Sequence, residues 1–312
     1  MAKYRLLRER LLAHGVVSPE QIFDAPSLSA HEVLSTHTAD YWERVEHGTL
    51  SAFEVRRIGF PWSPQLVERS RRSAGATLAA ARHALAWGFG ANLAGGTHHA
   101  YADHGEGYCV LNDLAITARC LRREGLVDRV LIVDLDVHQG NGTAAIFAHA
   151  PEVFTLSLHG RRNFPAHKER SDLDLELEDG CGDAEYLDTL ALALDRALSV
   201  HHPDLVLYLA GADIWEGDRL GRLAVSRDGI AARDRLVLEC CRALELPVAV
   251  AMGGGYAPDA ADIAAIHAAT ITLGLEIALR EHAEPEPRHG KVPRRPTNPG
   301  EHAQASARTG VP

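Results

Sequence analysis

Five short apolar runs punctuate the chain, and each delivers a polar or glycine-rich cluster before a segment of helical period begins. Residues 91–94 lead into Gly95, Gly96, Thr97, His98 and His99, and residues 130–133 lead into Asp134, Asp136 and His138. Residues 153–156 precede Ser157, Leu158 and His159, and residues 205–209 precede Gly211 and Asp213. Residues 247–251 run into three glycines and Tyr256. Helical spacing of apolar residues marks 3–14, 66–86, 113–123, 184–200, 227–244 and 259–281. Ser29 followed by Glu32 has the pattern of a capping box opening a short helix. Strand-like runs alternating with helices predict an α/β fold: one domain over residues 1–281, three layers, with helices on both faces of a mostly parallel sheet. The strict alternation of residues 173–177 (L-D-L-E-L) predicts a half-exposed edge strand.

Ligands of such sheets bind beyond the carboxyl ends of the strands, and all five clusters are expected there. Residues 130–142 (V-L-I-V-D-L-D-V-H-Q-G-N-G) carry the densest signal. Positions i, i+2 and i+4 of an extended segment share a side, so Asp134, Asp136 and His138 can converge. Buried carboxylates require a cation or hydrogen bonds. Asp136, His138 and Asp213 form a candidate metal-binding set with positions left open for water and substrate. His98 and His99 add two imidazoles on a glycine loop, and Tyr256 adds a phenol after a glycine turn.

Composition narrows the reading. The 312 residues are 46% hydrophobic, enough for a large core. A net charge of −10 argues against a nucleic-acid binder. No apolar run of about 18 residues exists, so no membrane span is expected, and residues 1–5 are too charged for a secretion signal. The five cysteines contain no C-x-x-C pair, so reduced thiols and a cytoplasmic location are expected. Arginine outnumbers lysine, a bias that suggests a GC-rich bacterial source. Residues 282–312 are poor in apolar side chains and are expected to form a disordered tail. Neither a G-x-G-x-x-G loop nor a Walker A loop is present, which excludes the common nucleotide sites.

The motifs G-G-T-H-H-A, G-Y-C-V-L-N-D, D-L-D-V-H-Q-G-N-G, G-A-D and G-G-G-Y, in this order, resemble the zinc-dependent histone deacetylase superfamily. The resemblance spans about residues 1–280 and is strongest to the class IV branch and its bacterial relatives. It implies an arginase/deacetylase-like fold and a zinc ion held by Asp136, His138 and Asp213. It implies that His98 and His99 flank the attacking water as base and acid or electrostatic partner, that Asp134 orients His98, and that Tyr256 stabilises the oxyanion. Much of the family has aspartate at the position of Asn141, so a neutral Asn141 implies a less basic His99. Tyr108 and Phe164 would wall an acyl-lysine tunnel, with the carbonyl of Gly107 at its rim. Asp134, Ser157 and the carbonyls of Asp136, His138 and Leu158 would hold a structural potassium ion.

Gln139, Gly140 and Asn141 replace the further aspartates of two-manganese arginase relatives, so one zinc per chain is expected. Leu220 stands where polyamine-deacetylating relatives carry an acidic gatekeeper. The implied substrate is therefore an acyl-lysine protein or peptide, with a small acylated amine, such as an acetylpolyamine or acetoin-related compound, as the alternative. A non-catalytic acyl or partner binder is disfavoured by the complete motif set. Relatives begin with a strand and loop ahead of the segment matching residues 1–4, so the resemblance also implies a missing strand and part of the pocket rim.

Overall fold

The computed structural model describes residues 2–280, so the expected tail at 282–312 lies outside the described residues. Among the described residues, five α-helices precede a run of six strands interleaved with five more. The helices are α1 (Ala2–Ala13), α2 (Ala30–Val33), α3 (Ala39–His47), α4 (Ala52–Ile58), α5 (Pro64–Trp87), α6 (Asp113–Arg123), α7 (Asn141–Phe147), α8 (Asp183–His201), α9 (Arg227–Ala243) and α10 (Ala260–Leu279). The strands are β1 (Phe89–Asn92), β2 (Val130–Asp134), β3 (Val153–Gly160), β4 (Leu173–Leu177), β5 (Leu205–Gly211) and β6 (Val248–Gly253). They form one sheet in the order β1-β6-β5-β2-β3-β4, and every ladder is parallel.

The period of two along each strand sorts side chains into two cores. Val130 and Ile132 of β2 join Leu205, Leu207 and Leu209 of β5 under α5 and α6. Leu131 and Val133 join Val206 and Tyr208 on the opposite face, with α1, α8, α9 and α10. Each fully buried aliphatic side chain adds about 1.5–3 kcal/mol to folding. The central strands are apolar on both faces because both faces are covered, which is the α/β/α sandwich expected.

Several elements depart from the expectation. β1 starts at Phe89, because Gly88 alone caps α5 in a positive-φ conformation and releases the chain into the sheet. Ser157, Leu158 and His159 lie inside β3 rather than beyond it. Helices α3, α4 and α7 add to the expected elements; α3 and α4 are short and are capped by Thr38 and Ser51. By length and composition alone α10 could cross a membrane, although no unbroken apolar run in the sequence suggests a span. It packs against α1, α9 and β1, and 56% of its apolar window is buried, so its composition answers to the core. β4 is the half-exposed edge strand expected.

A candidate metal-dependent active site

Parallel strands bring their carboxyl ends to one side of the sheet, where a cleft of about 1740 Å³ opens. β2 leads into Asp136 and His138, β5 into Asp213, β6 into Tyr256, and the loop after β1 into His98 and His99. All six line this cleft.

Asp136, His138 and Asp213 present ligand atoms within 4.8 Å of one another. His138 Nδ1 lies 2.8 Å from Asp136 Oδ1. Backbone N–H groups set the carboxylates: Val137 donates to Asp213 Oδ1 at 3.0 Å and His138 donates to Asp136 Oδ1 at 3.0 Å. Asp213 Oδ2 is 3.3 Å from His138 Nδ1 but out of line, and it is buried without a hydrogen-bond partner. Gly254 adopts φ +50°, and a Cβ there would meet the Asp213 carboxylate within 2.5 Å, so this turn must be glycine. An orphaned buried carboxylate oxygen beside a second carboxylate and an imidazole fits a divalent cation.

Without a cation the charges strain one another. Burial and the Asp213 charge raise the Asp136 pKa to about 6. Burial opposes charge on His138, but its hydrogen bond to Asp136 and the charges of Asp136 and Asp213 overcome it and raise its pKa to about 10. Burial likewise disfavours the anion of Asp213, yet His138 and the Val137 N–H hold its pKa below the usual carboxylate range.

The paired histidines differ in partner, and therefore in protonation. His98 Nδ1 faces Asp134 Oδ2 at 2.6 Å, while His99 Nδ1 faces Asn141 Oδ1 at 2.7 Å. Burial pushes His98 down, but the charge and hydrogen bond of Asp134 lift it to about 9. Burial and the charges of His98 and His138 push His99 well below its ordinary value, and neutral Asn141 does not reverse this. An amide oxygen accepts only, so His99 carries its proton on Nδ1 and leaves Nε2 as a free base. Asn141 Nδ2 in turn donates to the Tyr101 hydroxyl, which donates to Glu169.

Tyr256 is 37% exposed, and its phenol is held well above its usual pKa by burial and by the charges of Asp136 and Asp213. It therefore remains a hydrogen-bond donor. Tyr108 and Phe164, 51% and 40% exposed, keep apolar rings open to the cleft. Phe164 meets His99 edge-on with ring centres 4.9 Å apart, and Tyr108 lies 6.4 Å from Tyr256. Tyr108 sits at φ 65°, a costly conformation for a non-glycine residue, held by its N–H bond to Ile58 O. Gly107 packs against the His99 ring, and its carbonyl accepts the Cys109 thiol. Leu220 is half exposed at the mouth, anchored by Asn163 donating to its carbonyl. Asp134 stands opposite Ser157 in the β2–β3 ladder, and the Ser157 hydroxyl is 2.9 Å from His159 Nδ1. Ser157 and Leu158 are buried beneath the centre, and no side chain of β3 lines the cleft.

Supporting residues escaped the sequence reading. Lys3 of α1 donates to the carbonyls of Gly254 and Gly255 and places its ammonium 5.4 Å from the Tyr256 ring centre. Burial lowers its pKa. Asp218 accepts from the N–H groups of Leu220, Gly221 and Tyr256. Asp113 collects Gly96 N–H, Thr97 N–H and the Thr77 hydroxyl, which fixes the loop carrying both histidines. Gln139 bridges the Glu169 backbone and Asp174, so it staples a loop and is not among the candidate ligands.

Residues 1–272 match the histone deacetylase domain family. An uncharacterized protein of Picosynechococcus sp. is 49% identical over 268 residues, 86% of this chain and 89% of its own length. Histone deacetylase 2 of Arabidopsis thaliana is 31% identical over 265 residues, 82% of this chain and 68% of its own. The acetoin utilization protein AcuC of Staphylococcus aureus is 32% identical over 243 residues, 71% of this chain and 62% of its own. The crystal structure of an HDAC homolog from Aquifex aeolicus superposes with a TM-score of 0.74 at 24% identity, covering 93% of this chain and 85% of that one. With its family match running through every motif of the cleft, this chain belongs to the histone deacetylase family.

Proposed function

We propose that this protein is a zinc-dependent amidohydrolase that removes acyl groups from the side-chain amine of acyl-lysine in proteins or peptides. The observation carrying this reading is the division of labour between His98 and His99 above a cation-fitting Asp136, His138 and Asp213 set. A divalent cation held by those three residues would supply Lewis acidity to the attacking water and the substrate carbonyl. The residues of the chain supply the rest. His99 Nε2 takes a proton as water adds to the amide carbon, because its Nδ1 proton is committed to Asn141. His98, protonated by virtue of Asp134, stabilises negative charge and supplies a proton as the C–N bond breaks. Tyr256 donates to the oxyanion. Tyr108 and Phe164 exclude water around an extended aliphatic chain, and Leu220 offers no carboxylate to a polyamine. Asp134, Ser157 and Leu158 remain the proposed holders of a structural potassium ion.

A second reading, a deacetylase of small metabolites, draws on the likeness to the acetoin utilization protein. The open, large cleft and its aromatic walls favour the longer substrate. The test is hydrolysis of acyl-lysine peptides of graded chain length against acetylpolyamines, with metal content measured on the same sample. Acyl-lysine turnover that exceeds polyamine turnover is expected, and the reverse order would reject the assignment.

A further inference from the structure

The mouth of the cleft carries charge that the chemistry at its floor does not use. Outside the floor, seven arginines line the cleft against two glutamates. Both glutamates are already matched: Glu106 takes Arg57 and Glu68 takes Arg72, each at 2.7 Å. Arg56, Arg162, Arg219 and Arg222 lack an equal share of carboxylate among the described residues. Arg162 and Arg222 share Asp179, at 3.8 and 3.2 Å. Arg219 donates to the Tyr256 carbonyl at 2.9 Å, while the adjacent Asp218 carboxylate is taken up by backbone N–H groups. Arg56 is exposed on α4 and has no ion pair or hydrogen bond among the described residues. This excess of positive charge surrounds one opening of a chain whose net charge is −10.

Its position says what it meets. Arg162 precedes Phe164 by two residues, Arg219 and Arg222 bracket Leu220, and Arg57 leads to Gly59, on which the Tyr108 ring packs. Arg57, Arg162, Arg219 and Arg222 therefore lie in the segments that carry the aromatic walls and Leu220, where the residues flanking an inserted side chain would pass. At the floor Lys3 is committed to the carbonyls of Gly254 and Gly255, so it is not placed to receive an anionic acyl end. Planar guanidiniums pair with carboxylates in a bidentate manner, and like charges at a rim repel the wrong partner.

Building on the acyl-lysine reading above, we propose that the mouth selects acyl-lysine flanked by aspartate or glutamate, and disfavours lysine or arginine at those positions. The metal-loaded full chain is to be assayed with four peptides: acetyl-lysine with acidic, neutral or basic neighbours, and succinyl-lysine with neutral neighbours. The acidic peptide is expected to show kcat/KM about tenfold above the neutral one, mainly through KM, with the advantage shrinking as added salt screens the charges. Combined Arg56→Glu, Arg162→Glu and Arg222→Glu substitutions should erase that advantage and leave turnover of the neutral peptide unchanged. Equal rates for acidic and neutral peptides, or a preference for basic ones, would overturn the proposal. So would a succinyl-lysine preference that exceeds the effect of acidic neighbours. If no peptide is turned over, the deacylase reading fails, and the charge proposal is then decided by fluorescence anisotropy of the same peptides, where the same order of affinity supports it and a flat order rejects it.

Discussion

His99 Nδ1–H donates a hydrogen bond to an amide oxygen, Asn141 Oδ1 at 2.7 Å, whereas its neighbour His98 faces a carboxylate at a similar distance. The two rings are tilted by 46° with centres 4.1 Å apart, and their different partners push them toward opposite protonation states. His99 is pushed well below its ordinary pKa, and His98 is lifted to about 9. Substituting Asn141→Asp would put a charge where only a dipole now stands. The His99 pKa should then rise by about 1–3 units, moving the acidic limb of the kcat/KM profile to higher pH. An unmoved limb would show that His99 is not the base.

Tyr256 sits on a turn held by Asp218 and Lys3, with its phenol kept protonated. Replacing it by phenylalanine removes the proposed oxyanion donor but none of the proposed metal ligands. A fall in kcat of about 100- to 1000-fold is expected, with bound metal unchanged. Unchanged kcat would remove Tyr256 from the mechanism.

Cation binding should be strongly pH-dependent. In the cation-free site His138 keeps its proton up to about 10, so the cation must displace it. Affinity should therefore rise roughly tenfold per pH unit below that value, with one proton released. Below about 6 a second proton, on Asp136, steepens the dependence. Competition with a chromophoric chelator across this range measures the slope, and a flat profile would contradict the assigned ligands.

Beneath the site Arg233 and Asp234 form a fully buried ion pair. Arg233 donates to the carbonyls of Gly211 and Leu135, just before Asp213 and Asp136, and Asp234 accepts from Tyr208 and Thr270. Arg233→Leu alone strands the Asp234 charge and should cost about 3–5 kcal/mol in denaturant unfolding. A paired Arg233→Leu, Asp234→Leu change should recover part of that loss, and equal losses would mean that packing rather than charge dominates.

The parts legible in the sequence were those written in local pattern. Runs such as 130–133 are apolar on both faces because two layers cover them, and the parallel sheet then carries His98, Asp136, Asp213 and Tyr256 to one side. Lys3 reaches the glycine turn across 251 residues, a relationship with no local signature. Gln139 read only as a substitute for an acidic residue, yet its amide is well placed to bond both ways to the Glu169 backbone. Gly88 and Gly90 together resembled a terminator, which hid the true start of β1; Gly90 is there because a Cβ would strike the Ala80 carbonyl of α5. The arginine rim comes from four separate segments and is visible only once they are folded.

The central claim is that Asp136, His138 and Asp213 hold one catalytic zinc ion in an acyl-lysine hydrolase. Titrating the metal-free protein with zinc while following hydrolysis of an acyl-lysine peptide tests it directly. The account predicts activity that rises linearly and saturates at one equivalent per chain, with Asp213→Asn losing both metal and turnover. Full activity without metal, or a requirement for two equivalents of manganese, would contradict it.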